Sequence, residues 1–170
     1  RLHWDVSTTG QEEVDEYDEL DPVFIAALDN LNKVRACCRI MPTTGSYMLR
    51  DIFPSLLGST AAPDAENIWE ISRFAVDKTP TAGVGFSMIP SKMIAHLVRH
   101  ASLSKIEHYV FATTVGFERL LKCMNVNCER VSTSRQIGKE RCVALWLHID
   151  RVTLAAVSQV APELFEEARK

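Results

Sequence analysis

The sequence has no apolar run approaching the roughly 20 residues that a bilayer span needs, so a transmembrane helix is not expected. It has no basic segment followed by an apolar stretch, so no secretory signal is visible. It has no excess of positive charge: 19 Lys+Arg stand against 22 Asp+Glu, a net charge of −3, which argues against non-specific nucleic-acid binding. It has no CxxC pair, and its five cysteines, Cys37, Cys38, Cys123, Cys128 and Cys142, are odd in number. A disulfide framework and a zinc site are both disfavoured, and a reducing cytoplasm is the expected location. Internal repeats and low-complexity segments are also lacking.

What is present suits one mixed domain. The 170 residues are 46% hydrophobic and 24% charged, enough to bury a sizeable core. Arg1 opens the chain without a methionine, so the start reads as a fragment of something longer. Residues 8–22 are polar and acidic and, by composition, a solvated loop. Val23 to Leu28 and Val34 to Ile40 read as a hairpin around the turn residues Asp29 to Asn32. Leu49 to Leu57 suggests a short helix interrupted at Pro54, and Ile68 to Val76 is the best strand. Pro90 opens a helix whose Met93, Ile94, Leu97, Val98 and Ala101 repeat at three and four. Tyr109 to Thr113 and Cys142 to Ile149 read as strands, and Phe117 to Met124, Val152 to Val160 and Pro162 to Arg169 as helices. The order implies an α/β domain, antiparallel in its first half and joined by crossovers in its second.

Three groups of residues carry chemistry. Glu13, Asp15 and Asp18 place three carboxylates within six residues. Arg39 ends a predicted strand just before Ile40-Met41-Pro42-Thr43. Glu70 and Arg73 put an acid and a base inside an apolar strand. Burying such charges is costly unless they are paired. A structural ion pair and a functional site both satisfy that condition, and the residues alone leave the two readings level.

Taken in order, Arg1-Leu2-His3-Trp4, Glu13 to Asp18, Arg39 to Thr43, Phe53-Pro54 and Trp69-Glu70-Ile71-Ser72-Arg73-Phe74 resemble the acyl-homoserine-lactone synthases, the LuxI-type autoinducer synthases of bacterial quorum sensing. The likeness runs from residue 1 to about residue 150, and the family's N-terminal element lies before residue 1. The resemblance implies an N-acetyltransferase-like α/β fold: a mixed sheet whose central parallel strands splay, with flanking helices. Those strands are expected at Ile68–Val76 and Tyr109–Thr113.

It also implies an acyltransferase that joins S-adenosyl-L-methionine to an acyl thioester, closes the lactone and releases 5′-methylthioadenosine, with no metal or redox cofactor. Glu70 is the expected proton acceptor, with Asp15, Asp18, Arg39 and Arg73 binding or orienting S-adenosylmethionine. Strict alternation sets Arg73 on the face opposite Glu70 and Ser72, so a bulge near Ser72 is expected to bring it round. Trp4 and Glu13 are candidates for the adenosyl side, Trp4 being equally compatible with plain packing. Ser72, Phe74, Met93, His96, Val110, Ala112 and Thr113 are candidates for the substrate cleft and acyl tunnel, although each is also an ordinary core residue type. Val110 cannot hydrogen-bond a 3-oxo group and so leans towards unsubstituted chains. His96, His100 and His108 lack metal-ligand spacing.

Of the acetyltransferases' phosphate loop only Gly83-Val84-Gly85 remains, with Pro80 where Arg or Gln belongs, which favours an acyl-carrier protein over coenzyme A. Lys122, Arg130, Arg135, Lys139 and Arg141 are then a candidate landing patch for that acidic carrier, or simply a solvated face. An acetyl-coenzyme A-dependent N-acetyltransferase and an inactive signal-binding module are the alternatives, separated by whether methylthioadenosine is released.

Overall fold

The computed structural model describes residues 8–9, 12–77 and 88–166, with side chains from Val14 onward. Trp4, the side chain of Glu13, and the Pro80 and Gly83-Val84-Gly85 loop lie outside the described residues. The acidic segment is more ordered than its composition suggests. Strands β1 (Thr8–Thr9) and β2 (Glu12–Glu13) pair with each other, and a 3-10 turn follows at Glu16–Glu19. Asp15 caps that turn by accepting from the Tyr17 N–H, while Asp18 accepts from the Asp15 N–H, so the two carboxylates close a capping box.

Among the described residues the main sheet has seven strands. These are β3 (Val23–Leu28), β4 (Val34–Pro42), β5 (Ile68–Val76), β6 (His108–Thr114), β7 (Cys128–Arg130), β8 (Arg135–Ile137) and β9 (Glu140–His148). Their order is β3-β4-β5-β6-β9-β7, with β8 also on β9. β3, β4 and β5 run antiparallel, and β6 lies parallel to β5. The crossover between those two is α2 (Met88–Ser104), which carries Pro90 in its first turn as expected. The short strands β7 and β8 were invisible to periodicity, because three residues cannot display a period.

Period two sorts the side chains of the central strands onto two faces. Ala36, Cys38 and Ile40 of β4, Ile71 of β5, Tyr109 and Phe111 of β6, and Val143, Leu145 and Leu147 of β9 form one buried cluster with Met93, Ile94, Leu97, Val98 and Ala101 of α2. α3 (Val115–Cys123) and α4 (Arg151–Val160) add to the same cluster, through Leu121 and through Ala156 and Val157. Thr114 and Asp150 cap these two helices by accepting from the Phe117 and Thr153 N–H groups.

The opposite face buries Met41, Val110, Cys142 and Ala144 beneath Tyr17, Tyr47, Leu49, Leu56 and Leu57. The stretch Leu49 to Leu57 is therefore a lid on this second face. It is split in two, with α1 (Met48–Asp51) ending before Pro54 and a separate 3-10 turn at Pro54–Leu56. Gly58 locks the lid down: its φ is 65°, a Cβ there would meet Ser132 Cβ at 2.9 Å, and the Ser132 hydroxyl donates to the Leu56 carbonyl at 2.6 Å. The expected final helix from Pro162 is a 3-10 turn at Pro162–Leu164 within the described residues.

Candidate active site

Two irregularities in the sheet create the site. The first is the parting of β5 and β6. Their ladder pairs Ile68 with His108, Trp69 with Tyr109 and Glu70 with Val110, and stops there, although β5 continues to Val76 and β6 to Thr114. The expected splay begins at Glu70. The second is a bulge between β4 and β5. Cys37 pairs with Ala75 and Arg39 with Ser72, so Arg73 and Phe74 together oppose Cys38.

Arg73 sits in this bulge at a φ of 53°, a left-handed conformation costing a non-glycine residue about 1–3 kcal/mol. The extra residue has two effects. It turns Arg73 onto the face of Glu70 and Ser72, as expected. It also resets the alternation, so that Phe74 and Val76 join Ile71 on the helical side. Without it, continuing the alternation past Ile71 would send Arg73 into the apolar core and Phe74 away from it.

Arg39 is fully buried, at 0% exposure. Its Nη1 donates to Asp15 Oδ1 and to Asp18 Oδ1 at 2.6 Å, its Nη2 to Asp15 Oδ2 at 3.2 Å, and its Nε to Ser72 Oγ at 3.1 Å. Arg73 reaches the same Asp15 Oδ2 through Nη2 at 2.6 Å and Nε at 3.2 Å. Burial pushes the Asp15 carboxyl up, but the hydrogen bonds and charges of Arg39 and Arg73 outweigh it and leave the group below its ordinary value. Desolvation of Arg39 is likewise outweighed by Asp15 and Asp18, which keep the guanidinium charged. A guanidinium this deeply buried is tolerated only because its donors are met. The capping box therefore has a second use, since the carboxylates that close the turn also neutralise the two arginines.

Glu70 is 1% exposed. The N–H groups of Leu49 and Met48, the first residues of α1, donate to its Oε1 at 2.6 Å and its Oε2 at 3.0 Å. Burial drives its carboxyl up to about 7, against the pull of those two N–H groups and of Arg39, and the charge on Asp51 adds to the rise. A carboxyl balanced near neutrality inside a cleft can accept a proton from a substrate and return it.

The structure thus brings Glu70, Arg73, Asp15, Asp18, Arg39 and Ser72 together. It divides the remaining candidates. Val110 and Ala112 lie on the Glu70 face, Val110 buried and Ala112 packed against the second cluster. Met93 is buried on the other face, and Phe74 packs there against Phe117 with ring centroids 4.9 Å apart. Thr113 pairs with Val143, a residue of that same helical face. Residues from both faces can line one path only through the gap where β5 and β6 separate. His96 is a correction: it is exposed on the flank of α2 away from Ile94, Leu97 and Val98, so it does not join the others.

Reading the sequence missed two further contributions. The backbone donors of Met48 and Leu49 belong to no side-chain pattern. Tyr17 stood inside an acidic run read as loop, although an aromatic among carboxylates was a hint of burial. Its ring lies 5.4 Å from the Arg39 guanidinium carbon. Among the described residues no three His, Cys, Asp or Glu side chains converge to hold a metal ion, and no helix is long and apolar enough to cross a membrane.

Residues 1–157 match the family model described as autoinducer synthase. An acyl-homoserine-lactone synthase of Vibrio anguillarum is 38% identical over 161 residues, covering 93% of this chain and 83% of that protein. The crystal structure of the acyl-homoserine-lactone synthase LasI superposes with a TM-score of 0.87 at 35% identity, covering 92% of this chain and 79% of that one. TofI in a ternary complex with an inhibitor and methylthioadenosine (MTA) gives 0.78 at 30% identity, covering 93% and 80%. A Lactobacillus plantarum protein described as an N-acetyltransferase shares the fold alone, at 10% identity and a TM-score of 0.57, covering 84% of this chain and 80% of that one.

Proposed function

The chain belongs to the autoinducer synthase family, and from that premise we propose how its cleft works. The enzyme is an acyltransferase that makes an N-acyl-L-homoserine lactone from S-adenosyl-L-methionine and an acyl thioester. The observation that carries the assignment of roles is the buried Glu70 carboxyl at the parting of β5 and β6, with Arg39, Arg73 and the two aspartates on the same face.

S-adenosylmethionine presents an ammonium, a carboxylate and a sulfonium. In our reading its carboxylate faces the guanidinium of Arg73, and its cationic groups face the acidic turn at Asp15 and Asp18. The family resemblance assigns Trp4 and Glu13 to the adenosyl side. The acyl chain passes between the separated strands, with Val110, Ala112 and Thr113 of β6 along its path and Met93 and Phe74 behind them.

Glu70, directly or through a water, takes a proton from the substrate ammonium. The freed amine attacks the thioester carbon. The resulting oxyanion is met by backbone N–H groups that the bulge at Arg73 turns out of the ladder. Collapse forms the amide and breaks the C–S bond, and the carrier leaves as a thiol. The methionine carboxylate oxygen then attacks its own γ-carbon. The Cγ–S bond breaks, the sulfonium becomes a thioether, and methylthioadenosine departs as the ring closes. Each step needs charge placement alone, and no cofactor enters.

An acyl-carrier protein is the donor we favour. Arg135, Lys139 and Arg141 are exposed around the β8–β9 turn, with Lys122 and Arg130 nearby on Glu118. Such a surface suits an acidic carrier. A reducing cytoplasm fits the five free thiols.

The deciding experiment is methylthioadenosine release by Glu70→Gln. The amide keeps the size of the side chain and one of the two acceptor oxygens that face α1, sets an NH2 against the other N–H, and cannot take up a proton. Release at least about 100-fold slower, with an unchanged circular dichroism spectrum, is expected for loss of a general base. Turnover at the wild-type rate would remove Glu70 from the chemistry.

A further inference from the structure

Glu70 is held by a helix that cannot hold itself. α1 has four residues, far below the length at which a helix is stable alone. Its N-cap residue, Tyr47, makes no side-chain cap bond. The cap is supplied from inside: Asp51 Oδ2 accepts the Tyr47 N–H at 3.1 Å. That same oxygen accepts the Tyr17 hydroxyl at 3.4 Å, while Asp51 Oδ1 takes the Arg50 Nε–H at 2.9 Å. Tyr17 is 3% exposed and lies in the turn that carries Asp15 and Asp18. Among the contacts described, its side chain is the piece that touches both the Arg39 guanidinium, by its ring, and α1, by its hydroxyl.

We propose that Tyr17 is a positioning residue, coupling the acidic turn to the first turn of α1 through Asp51 and so fixing the backbone N–H groups that hold Glu70. The inference rests on the reading of Glu70 as proton acceptor. The charged and titratable groups around that carboxyl are Arg39 from β4, Asp51 and Tyr47 at α1, and Tyr17 from the turn. Burial and the neighbouring acids Asp51 and Glu16 push the Tyr17 hydroxyl up to about 12, so it remains a donor throughout the working pH range. Filling the site with substrate would press on the turn, and the rigid ring would carry that order to the base.

The two ends of the link predict opposite effects on the acidic limb of the kcat profile. Tyr17→Phe keeps the ring and removes the donor. α1 loosens, Glu70 loses support for its charge, and the limb moves to higher pH. Asp51→Asn keeps an acceptor for the Tyr47 N–H and removes a negative charge beside Glu70, so the limb moves to lower pH. The measurement is methylthioadenosine release against pH for wild type and both variants. Tyr17→Phe is expected to lower kcat about fivefold, the scale of one hydrogen bond, with KM for S-adenosylmethionine within about twofold. A simple packing defect would not separate the two limbs. Wild-type kcat and limb in Tyr17→Phe, or movement of both limbs in one direction, would overturn the proposal. If Glu70→Gln is inactive while Tyr17→Phe is unchanged, only the coupling fails; if Glu70→Gln is active, the base assignment fails first.

Discussion

Glu70 and Val110 are the last residues paired across β5 and β6, and beyond them the parallel strands separate. The proposed base and the first wall of the acyl path are thus neighbours across one ladder rung, on the same buried face. In a parallel sheet such a gap is expensive, because it interrupts the backbone ladder on both strands. Here it opens beside the Glu70 carboxyl, where the proposed function places the thioester arm.

On the proposed acyl path, the side chain at Val110 should set how far the chain can run. Val110→Phe adds a ring at the entrance of the gap, and the preferred product should shorten. Overpacking costs about 1–3 kcal/mol, within reach of a domain with this much buried surface. Mass spectrometry of lactones made by cells expressing the variant checks the outcome. A product profile identical to wild type would show that the chain does not pass Val110.

The bulge gives a stability prediction that runs against intuition about glycine. Arg73→Gly and Arg73→Ala both delete the guanidinium that Asp15 accepts, and both should lose activity together. They differ in backbone, since glycine accepts a φ of 53° freely and alanine does not. Arg73→Gly should be the more stable of the two by about 1 kcal/mol, read from urea midpoints. Equal midpoints would mean that the left-handed conformation at this position stores no strain.

How much of this was legible beforehand depends on the kind of signal. The core strands were, because Val34 to Ile40 alternates at period two, Ile68 to Val76 is a nine-residue apolar-rich run, and α2 repeats at three and four. The grouping of Arg39, Glu70 and Arg73 with Asp15 and Asp18 came from the family resemblance, since no periodicity relates residues 58 apart. The bulge followed from a conflict: strict alternation set Arg73 on the face opposite Glu70 and Ser72, whereas the resemblance called for it beside them. What stayed hidden was made of backbone. The donors of Met48 and Leu49 belong to a four-residue helix with no side-chain period, and the acidic turn drew its order from Arg39, a partner 21 residues away from Asp18. His96 falls off the stripe of Met93, Ile94, Leu97, Val98 and Ala101, so the helical spacing already set it on the exposed flank of α2.

The other buried carboxylate, Glu118 of α3, answers to acid in a way that can be separated from the active site. Its side chain is 3% exposed, while its partners Arg130 at 2.6 Å and Lys122 at 2.7 Å are 40% and 60% exposed. The Arg130 hydrogen bonds, opposed by burial and helped by Lys122, hold its carboxyl down at about 2. The group is therefore protonated more readily in the unfolded chain than in the fold. Its contribution is fully present above about pH 4.5, the ordinary carboxyl value, and is lost as the pH falls towards 2. Solvent around the two cations screens the pair, so the contribution is about 1–2 kcal/mol and not the full value of the shift. Glu118→Gln removes the titration and keeps the shape. Urea midpoints measured from pH 6 to pH 2 should converge for the two proteins at the acid end and separate above pH 4.5, with wild type the more stable. Parallel curves would show that the ion pairs contribute nothing to folding, and that Arg130 and Lys122 are held by the surface rather than by Glu118.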